Sequence, residues 1–246
     1  MTLEVENLVG GYSRVPVLKD VSFEVKAGEL VGLIGLNGAG KSTTIKHIIG
    51  LLRPQKGTIT LEGVTLKTDP KAYKQKMAYI PETPILYEEL TLREHIELTI
   101  MAYGLEAKSA WQRAQKLLEL FRLENKLDWF PANFSKGMKQ KVMIVCAFIT
   151  EAKLYIIDEP FLGLDPLATQ DLLDLIDQKK QAGAAVLMST HVLSTAQEYC
   201  DRFVMIDQGQ VTAKGDLASL RTQFGDETAS LATIYLKLTG AGEKHA

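Results

Sequence analysis

The run Gly35, Leu36, Asn37, Gly38, Ala39, Gly40, Lys41, Ser42 and Thr43 constrains this chain more than any other stretch. It lies between an apolar segment (Leu30, Val31, Leu33, Ile34) and a helical pattern (Ile45, Ile48, Ile49, Leu52). A glycine-rich loop that leaves a buried strand and enters a helix can point successive backbone N–H groups at a phosphate, and the helix N-terminus adds partial positive charge. The spacing G-x-x-x-x-G-K-[ST] is that of a P-loop. Gly35, Gly38 and Gly40 permit the tight turn and close backbone approach, Lys41 reaches the β and γ phosphates, and the Ser42 hydroxyl is the expected Mg²⁺ ligand. A glycine-rich turn with a chance lysine meets this spacing on the order of once per hundred chains of this length. The strand before it and the helix after it make coincidence rarer, so the chain is expected to fold around a nucleoside triphosphate site.

The bulk of the sequence fits such a core. At 246 residues the chain can bury a substantial interior, and a prior of about 150 residues per domain allows one large domain with or without a subdomain. The apolar fraction of 46% and charged fraction of 24% are those of an ordinary globular protein. A net charge of −2 gives no electrostatic case for nucleic acid, and none is expected as a partner. Cys146 and Cys200 have no paired spacing, which argues against a disulfide framework or zinc site and fits a reducing cytosol. The N-terminus lacks the basic-then-apolar layout of a secretory signal, and no apolar run approaches the ~18 residues of a membrane span. The longest, Val142 to Ile149, is too short. Work at a membrane would need a span from another chain.

Along the chain, Leu3 to Glu24 reads as strands broken by the turn-rich Gly10 to Ser13, and Thr58 to Leu66 alternates with period two. These segments are expected to form an antiparallel patch beside the P-loop. Met77 to Ile80 is a short strand leading into Pro81, Glu82, Thr83 and Pro84, where two prolines make a stiff loop. Thr91 to Tyr103 and Ala107 to Leu123 read as amphipathic helices, with Thr91 and Glu94 as a capping box, and Lys139 to Ile149 as a further helix. Residues 85–149 are therefore expected to form a helical subdomain, with 1–84 and 150–220 as the core. Strands at 154–157, 184–188 and 202–206, separated by helices at about 167–182 and 193–200, imply βαβ connections and a mostly parallel sheet. The tail, 221–246, turns weakly apolar at Leu231, Ile234, Tyr235, Leu236 and Leu238, as a short packed helix would.

Ligands bind such sheets at the carboxyl ends of strands, where the P-loop, Asp158, Glu159 and His191 all fall. Asp158 is placed to hold Mg²⁺ opposite Ser42, and Glu159 to orient or deprotonate an attacking water. An Asp-Glu pair in isolation reads as a solvated turn, but this one follows an apolar strand in a chain with a P-loop. His191 by itself reads as a loop or capping histidine; its strand-end position favours a γ-phosphate contact. Tyr12 could stack on a base, although spacing alone reads it as a packed surface tyrosine.

The stretch Phe134, Ser135, Lys136, Gly137, Met138, Lys139, Gln140, Lys141 discriminates among P-loop proteins. Here the sequence resembles the ATP-binding subunits of ABC transporters, whose signature is Leu-Ser-Gly-Gly-Gln followed by a basic helix. The resemblance spans residues 2–220, with the motifs in the family's order. It implies a P-loop NTPase (RecA-like) α/β core with an antiparallel β subdomain and a helical subdomain. It also implies ATP and Mg²⁺, with Ser42, Asp158 and Glu82 near the metal. Tyr12 would stack on adenine, Glu82 takes the place of the usual glutamine, and Ser135 to Met138 form the signature. Asp158 and Glu159 match the metal-binding acid and catalytic base, Asp165 the dimer-contact loop, and His191 the switch histidine.

By the same resemblance two subunits, expected as a homodimer, face each other head to tail, with each ATP between one P-loop and the opposite signature. ATP would close the dimer, hydrolysis reopen it, and an integral membrane subunit convert the cycle into transport, with this chain cytoplasmic and peripheral on the inner face of the membrane. The Lys-Gly-Met signature and the Pro-Glu-Thr-Pro loop resemble subunits of bacterial exporters, of the Ecs type. Glu82 departs from the neutral amide, adding repulsion toward the γ-phosphate. Lys136 and Met138 depart from the signature, while Ser135 and Gly137 keep its phosphate-facing groups. The competing classes are a soluble ABC ATPase of repair or translation, which would carry a coiled-coil insertion or a second cassette, and a regulatory module that closes on ATP without transport.

Overall fold

A computed structural model describes residues 2–239. Its strands are Leu3–Gly10 (β1), Leu18–Val25 (β2), Leu30–Ile34 (β3), Lys56–Leu61 (β4), Met77–Ile80 (β5), Leu154–Asp158 (β6), Ala185–Thr190 (β7), Arg202–Asp207 (β8) and Gln210–Gly215 (β9). The order β2-β1-β4 makes an antiparallel sheet. The order β5-β6-β7-β3-β8-β9 makes a larger sheet, parallel except for the antiparallel edge strand β9.

Every residue of β3, β6 and β7 is buried, which is why these strands read as continuous apolar runs rather than alternating ones. Successive side chains of a strand point to opposite faces, and the two cores divide accordingly. Leu30, Ile34, Tyr155, Ile157, Val186 and Met188 face a helical layer. Val31, Leu33, Leu154, Ile156, Ala185 and Leu187 face the antiparallel sheet and the helix after the P-loop. The parallel sheet is thus a middle layer, and its strand ends open between the two cores.

The helices are Lys41–Ile48 (α1), Pro70–Gln75 (α2), Leu92–Tyr103 (α3), Ala107–Phe121 (α4), Lys136–Phe148 (α5), Pro166–Gln181 (α6), Leu193–Tyr199 (α7), Leu217–Gln223 (α8) and Leu231–Thr239 (α9). The capping box of Thr91 and Glu94 opens α3. Two boundaries and one further helix differ most from the sequence reading. Helix α5 starts at Lys136 rather than Lys139, because the Ser135 hydroxyl accepts from the Met138 N–H and caps the helix earlier. Strand β4 stops at Leu61 rather than continuing to Leu66: Glu62 and Gly63 take left-handed conformations, and Val64 turns back to pair with Leu61. Helix α2 has too few apolar residues to show a period, but Asp69 caps it and Pro70 occupies its first turn. The apolar tail positions form α9, whose Leu231, Ile234 and Tyr235 are buried in the helix-side core. The end of the tail, 240–246, lies outside the described residues.

Candidate nucleotide site

The P-loop joins β3, the strand between β7 and β8, to α1. Gly40 immediately precedes α1 with φ of 118°, a conformation that L side chains rarely adopt, and an added Cβ there would crowd Leu18. Lys41 is only 6% exposed. Its ammonium donates to the Gly35 carbonyl at 2.7 Å and reaches the Leu36 carbonyl at 3.5 Å, so it is folded back over the loop it serves. The first turn of α1 is braced by Thr44 Oγ1, which donates to the Gly40 carbonyl at 2.9 Å, and by the buried His47, whose Nδ1 lies 2.8 Å from the Thr43 carbonyl.

Two neighbouring strand ends supply the acids and the histidine. Asp158 closes β6 in register with Ser189 of β7, and the Ser189 hydroxyl donates to the Asp158 carboxylate. Burial, above all, pushes the Asp158 carboxyl above its ordinary range, and the nearby charges of Glu82 and Glu159 push the same way against the Ser189 bond and Lys41. Glu159 follows with φ of 46°, held by its N–H to the Ser189 carbonyl and hydroxyl, both at 3.2 Å. Its Oε1 lies 3.6 Å from Lys41 Nζ and its Oε2 2.8 Å from His191 Nδ1.

A cavity of about 410 Å³ is lined by Tyr12, Leu36, Asn37, Gly38, Gly40, Lys41, Ser42, Thr43, Glu82, Glu159 and His191, together with Val17. Asp158 is buried beside this group, and Gly35 and Ala39 shape the loop without lining the cavity. Tyr12 is exposed, with Lys46 Nζ 3.1 Å from its hydroxyl and 5.1 Å from its ring centre. Burial raises the Tyr12 phenol, but hydrogen bonds with Lys46 and Thr43 and the Lys46 charge outweigh it and hold the phenol below its usual value.

Ser135, Lys136, Gly137 and Met138 do not line this cavity. They open α5 beside the loop that carries Asp165: the Gly137 backbone sits so close to the Gly163 carbonyl that a Cβ would strike it. Lys141 of α5 pairs with Asp165 at 2.9 Å, and Asp165 caps α6 by accepting from the Ala168 N–H.

Among the described residues no group of three His, Cys, Asp or Glu side chains is arranged to hold a metal. Mg²⁺ is commonly held by one or two carboxylates, water and substrate phosphates rather than by an all-protein cage. The donor set of Ser42, Asp158 and Glu82 fits that pattern, and the charges of Glu82 and Glu159, which add to burial in raising Asp158, are charge a divalent cation would offset.

Four contributors escaped the sequence reading in these roles. Val17 and Lys46 carried no motif, and Ser189 was visible only as part of a strand end. Tyr235 of α9, whose hydroxyl accepts from the Leu36 N–H at 2.8 Å, sits 199 positions from its partner. No local pattern reports such a contact.

Comparison with known proteins places these motifs in context. A family model described as ABC transporter matches residues 18–162. The ABC-type transporter ATP-binding protein EcsA of Bacillus subtilis (strain 168) is 59% identical over 243 residues, covering 99% of this chain and 98% of that protein. The uncharacterized ABC transporter ATP-binding protein YthP of the same organism is 45% identical over 236 residues, covering 96% and 95%. A solved structure described as the ATP binding subunit of an ABC transporter superposes with a TM-score of 0.95 at 58% identity, covering 97% of this chain and 100% of that one.

Proposed function

This chain belongs to the ABC transporter family as an ATP-binding subunit and is an ATPase of that family; from that premise we propose that it powers export by ATP-driven closure of a homodimer against a separate membrane protein. The observation that supports the reading is that the P-loop and the start of α5 lie apart. The P-loop, Glu82, Glu159 and His191 share one cavity, whereas Ser135 and Gly137 open α5 beside the Gly163 loop and do not line it. A second copy would bring its Ser135 hydroxyl and Gly137 N–H to the γ-phosphate, at the N-terminus of a basic helix suited to an anion.

In this reading the P-loop N–H groups and Lys41 hold the phosphates. Glu159 takes the proton of the attacking water or orients it, and His191 Nδ1, at 2.8 Å, fixes the carboxylate. Ser42 and Asp158, with Glu82 nearby, would hold Mg²⁺, which would supply charge neutralisation at the phosphates. Tyr12 stacks on adenine with Lys46 beside it. Asp165, tied to Lys141, forms part of the dimer contact. The closed state is favoured by whatever ATP binds more tightly in it, and that difference is the work available to a partner.

The membrane partner docks on the Glu82 loop and α3 (82–103). Ile85 and Tyr87 are 75% and 62% exposed there, an apolar surface close to the cavity-lining Glu82. Among the described residues no helix is long and apolar enough to cross a membrane. In this reading the partner supplies the span and this chain sits on the cytoplasmic face. The export direction follows the likeness of the Lys136-Gly137-Met138 signature and the Pro81-to-Pro84 loop to exporter subunits.

Detergent extraction of membranes containing the tagged chain tests the proposal. A multi-span protein should copurify and alter ATP turnover, and Glu159→Gln with ATP should run as a dimer by size exclusion. A chain that always purifies without such a protein would overturn the transport reading in favour of a soluble ATPase.

A further inference from the structure

One peptide unit of the P-loop is held at both poles. The carbonyl of Gly35 accepts from Lys41 Nζ at 2.7 Å, and the N–H of the same peptide, on Leu36, donates to the Tyr235 hydroxyl at 2.8 Å. Because the peptide is planar and trans, its C=O and N–H point in opposite directions, and rotating it to break one bond breaks the other. The orientation of the carbonyl that receives the ammonium is therefore tied to a side chain on the last described helix.

That side chain is itself fixed. Tyr235 is 5% exposed and lies in the helix-side core with Leu231 and Ile234. The start of α9 is secured to α7 by the Leu231 N–H, which donates to Gln197 Oε1 at 2.6 Å. Arg221 Nε donates to the Ala229 carbonyl at 2.8 Å just ahead of α9, and Lys237 pairs with Asp226 at 3.0 Å. Helix α7 in turn begins two residues after His191. Helix α9 thus bears on the P-loop through Tyr235 and on the segment after His191 through Gln197.

We infer that Tyr235 is a positioning residue of the nucleotide site: through the Gly35–Leu36 peptide it sets the place of the Lys41 ammonium, and it makes α9 a structural partner of phosphate binding. The inference rests on Lys41 being a phosphate ligand. Coupling between two sites is reciprocal, so a nucleotide that draws Lys41 into place also strengthens the docking of α9.

Tyr235→Phe removes the hydroxyl and keeps the ring. In the full chain, calorimetric titration with Mg-ATP should give a dissociation constant raised about 5- to 10-fold, the scale of one lost hydrogen bond. The rise in melting temperature on adding ATP should shrink in parallel. A hydroxyl that only docked α9 would lower the melting temperature without ATP and leave the dissociation constant unchanged; that result overturns the inference. Should the variant fold poorly, hydrogen exchange on the unmodified protein gives the second reading. Peptides covering 231–239 should exchange more slowly with Mg-ATP present, and identical exchange overturns the inference. Lys41→Ala is the control for the underlying reading. Retained ATP affinity in that variant would discard Lys41 as a phosphate ligand, whereas loss of binding there with unchanged affinity in Tyr235→Phe would discard Tyr235 alone.

Discussion

Glu159 and His191 meet at 2.8 Å, Oε2 against Nδ1, while the other oxygen of the same carboxylate stands 3.6 Å from Lys41 Nζ. The contact depends on backbone geometry: Glu159 leaves β6 in a left-handed conformation, which costs on the order of 1 kcal/mol or more for a residue with a Cβ. Its N–H bonds to Ser189 offset that cost and turn the side chain toward the cavity. Glu159 is the proposed base, and Gln in its place keeps the shape while losing the basic oxygen. Glu159→Gln should bind ATP with affinity close to the parent and hydrolyse it about 10²- to 10⁴-fold more slowly. Phosphate release in single-turnover experiments measures the rate, and hydrolysis near the parent's would remove Glu159 from the role.

Asp158 should be a place where function costs stability. Burial raises its carboxyl, with Glu82 and Glu159 adding repulsion, so the folded protein holds the ionised form at a penalty. For a carboxyl raised on folding, the folded state binds more protons between the unfolded and folded values. This group's contribution therefore falls as pH rises through that window, and the penalty is complete above it. Asp158→Asn removes the charge, and its side-chain oxygen can still accept from Ser189. The variant should melt at a higher temperature at neutral pH, by the equivalent of about 1 kcal/mol. It should also lose most Mg²⁺-dependent hydrolysis. A lower melting temperature would show that the Ser189 bond needs the full carboxylate.

How much of this was legible in the sequence follows from how local each requirement is. Phosphate binding needs consecutive N–H groups and a lysine at fixed spacing, so Gly35 to Thr43 reads directly. The buried parallel strands show as apolar runs, and the residues just beyond them, Glu159 and His191, are placed by that alone. The capping box at Thr91 is likewise local. What could not be read depends on chain segments that meet only in the fold: Val17 at the cavity wall, Lys46 beside Tyr12, Ser189 against Asp158, and Tyr235 on the P-loop. Helix α2 failed for a different reason, since six residues with one buried side chain carry no periodic signal.

Glu82 lines the same cavity as Lys41 and Glu159. A carboxylate here adds negative charge near the proposed γ-phosphate position, and two like charges a few ångströms apart at a protein surface repel by on the order of 1 kcal/mol or more. Glu82→Gln restores a neutral amide of the same size. Turnover with the proposed membrane partner present should change by about 3- to 10-fold, upward if repulsion limits the parent. Equal turnover and equal coupling would exclude a special role for the charge.

Three successive residues of α5 hold the surrounding loops. Lys139 pairs with Glu88 at 3.2 Å, Gln140 Nε2 donates to the Pro81 carbonyl at 3.2 Å, and Lys141 pairs with Asp165 at 2.9 Å. Neighbours on a helix are about 100° apart, so Lys139 and Lys141 point to nearly opposite sides of α5 with Gln140 between them, which reaches both the Glu82 loop and the Asp165 loop. Gln140 is fully buried, and its Oε1 has no hydrogen-bond partner among the described residues. Gln140→Met therefore exchanges one lost bond for the removal of an unsatisfied acceptor, and the melting temperature should move by no more than the equivalent of about 1 kcal/mol in either direction. Glu82, next to the released Pro81 carbonyl, would lose its tether to α5. ATP turnover should then fall about 3- to 10-fold, the effect of one mispositioned group rather than a missing one. A large loss of stability would mean that Gln140 serves the core first, and an unchanged turnover with unchanged stability would mean that the Pro81 bond carries no coupling between α5 and the Glu82 loop.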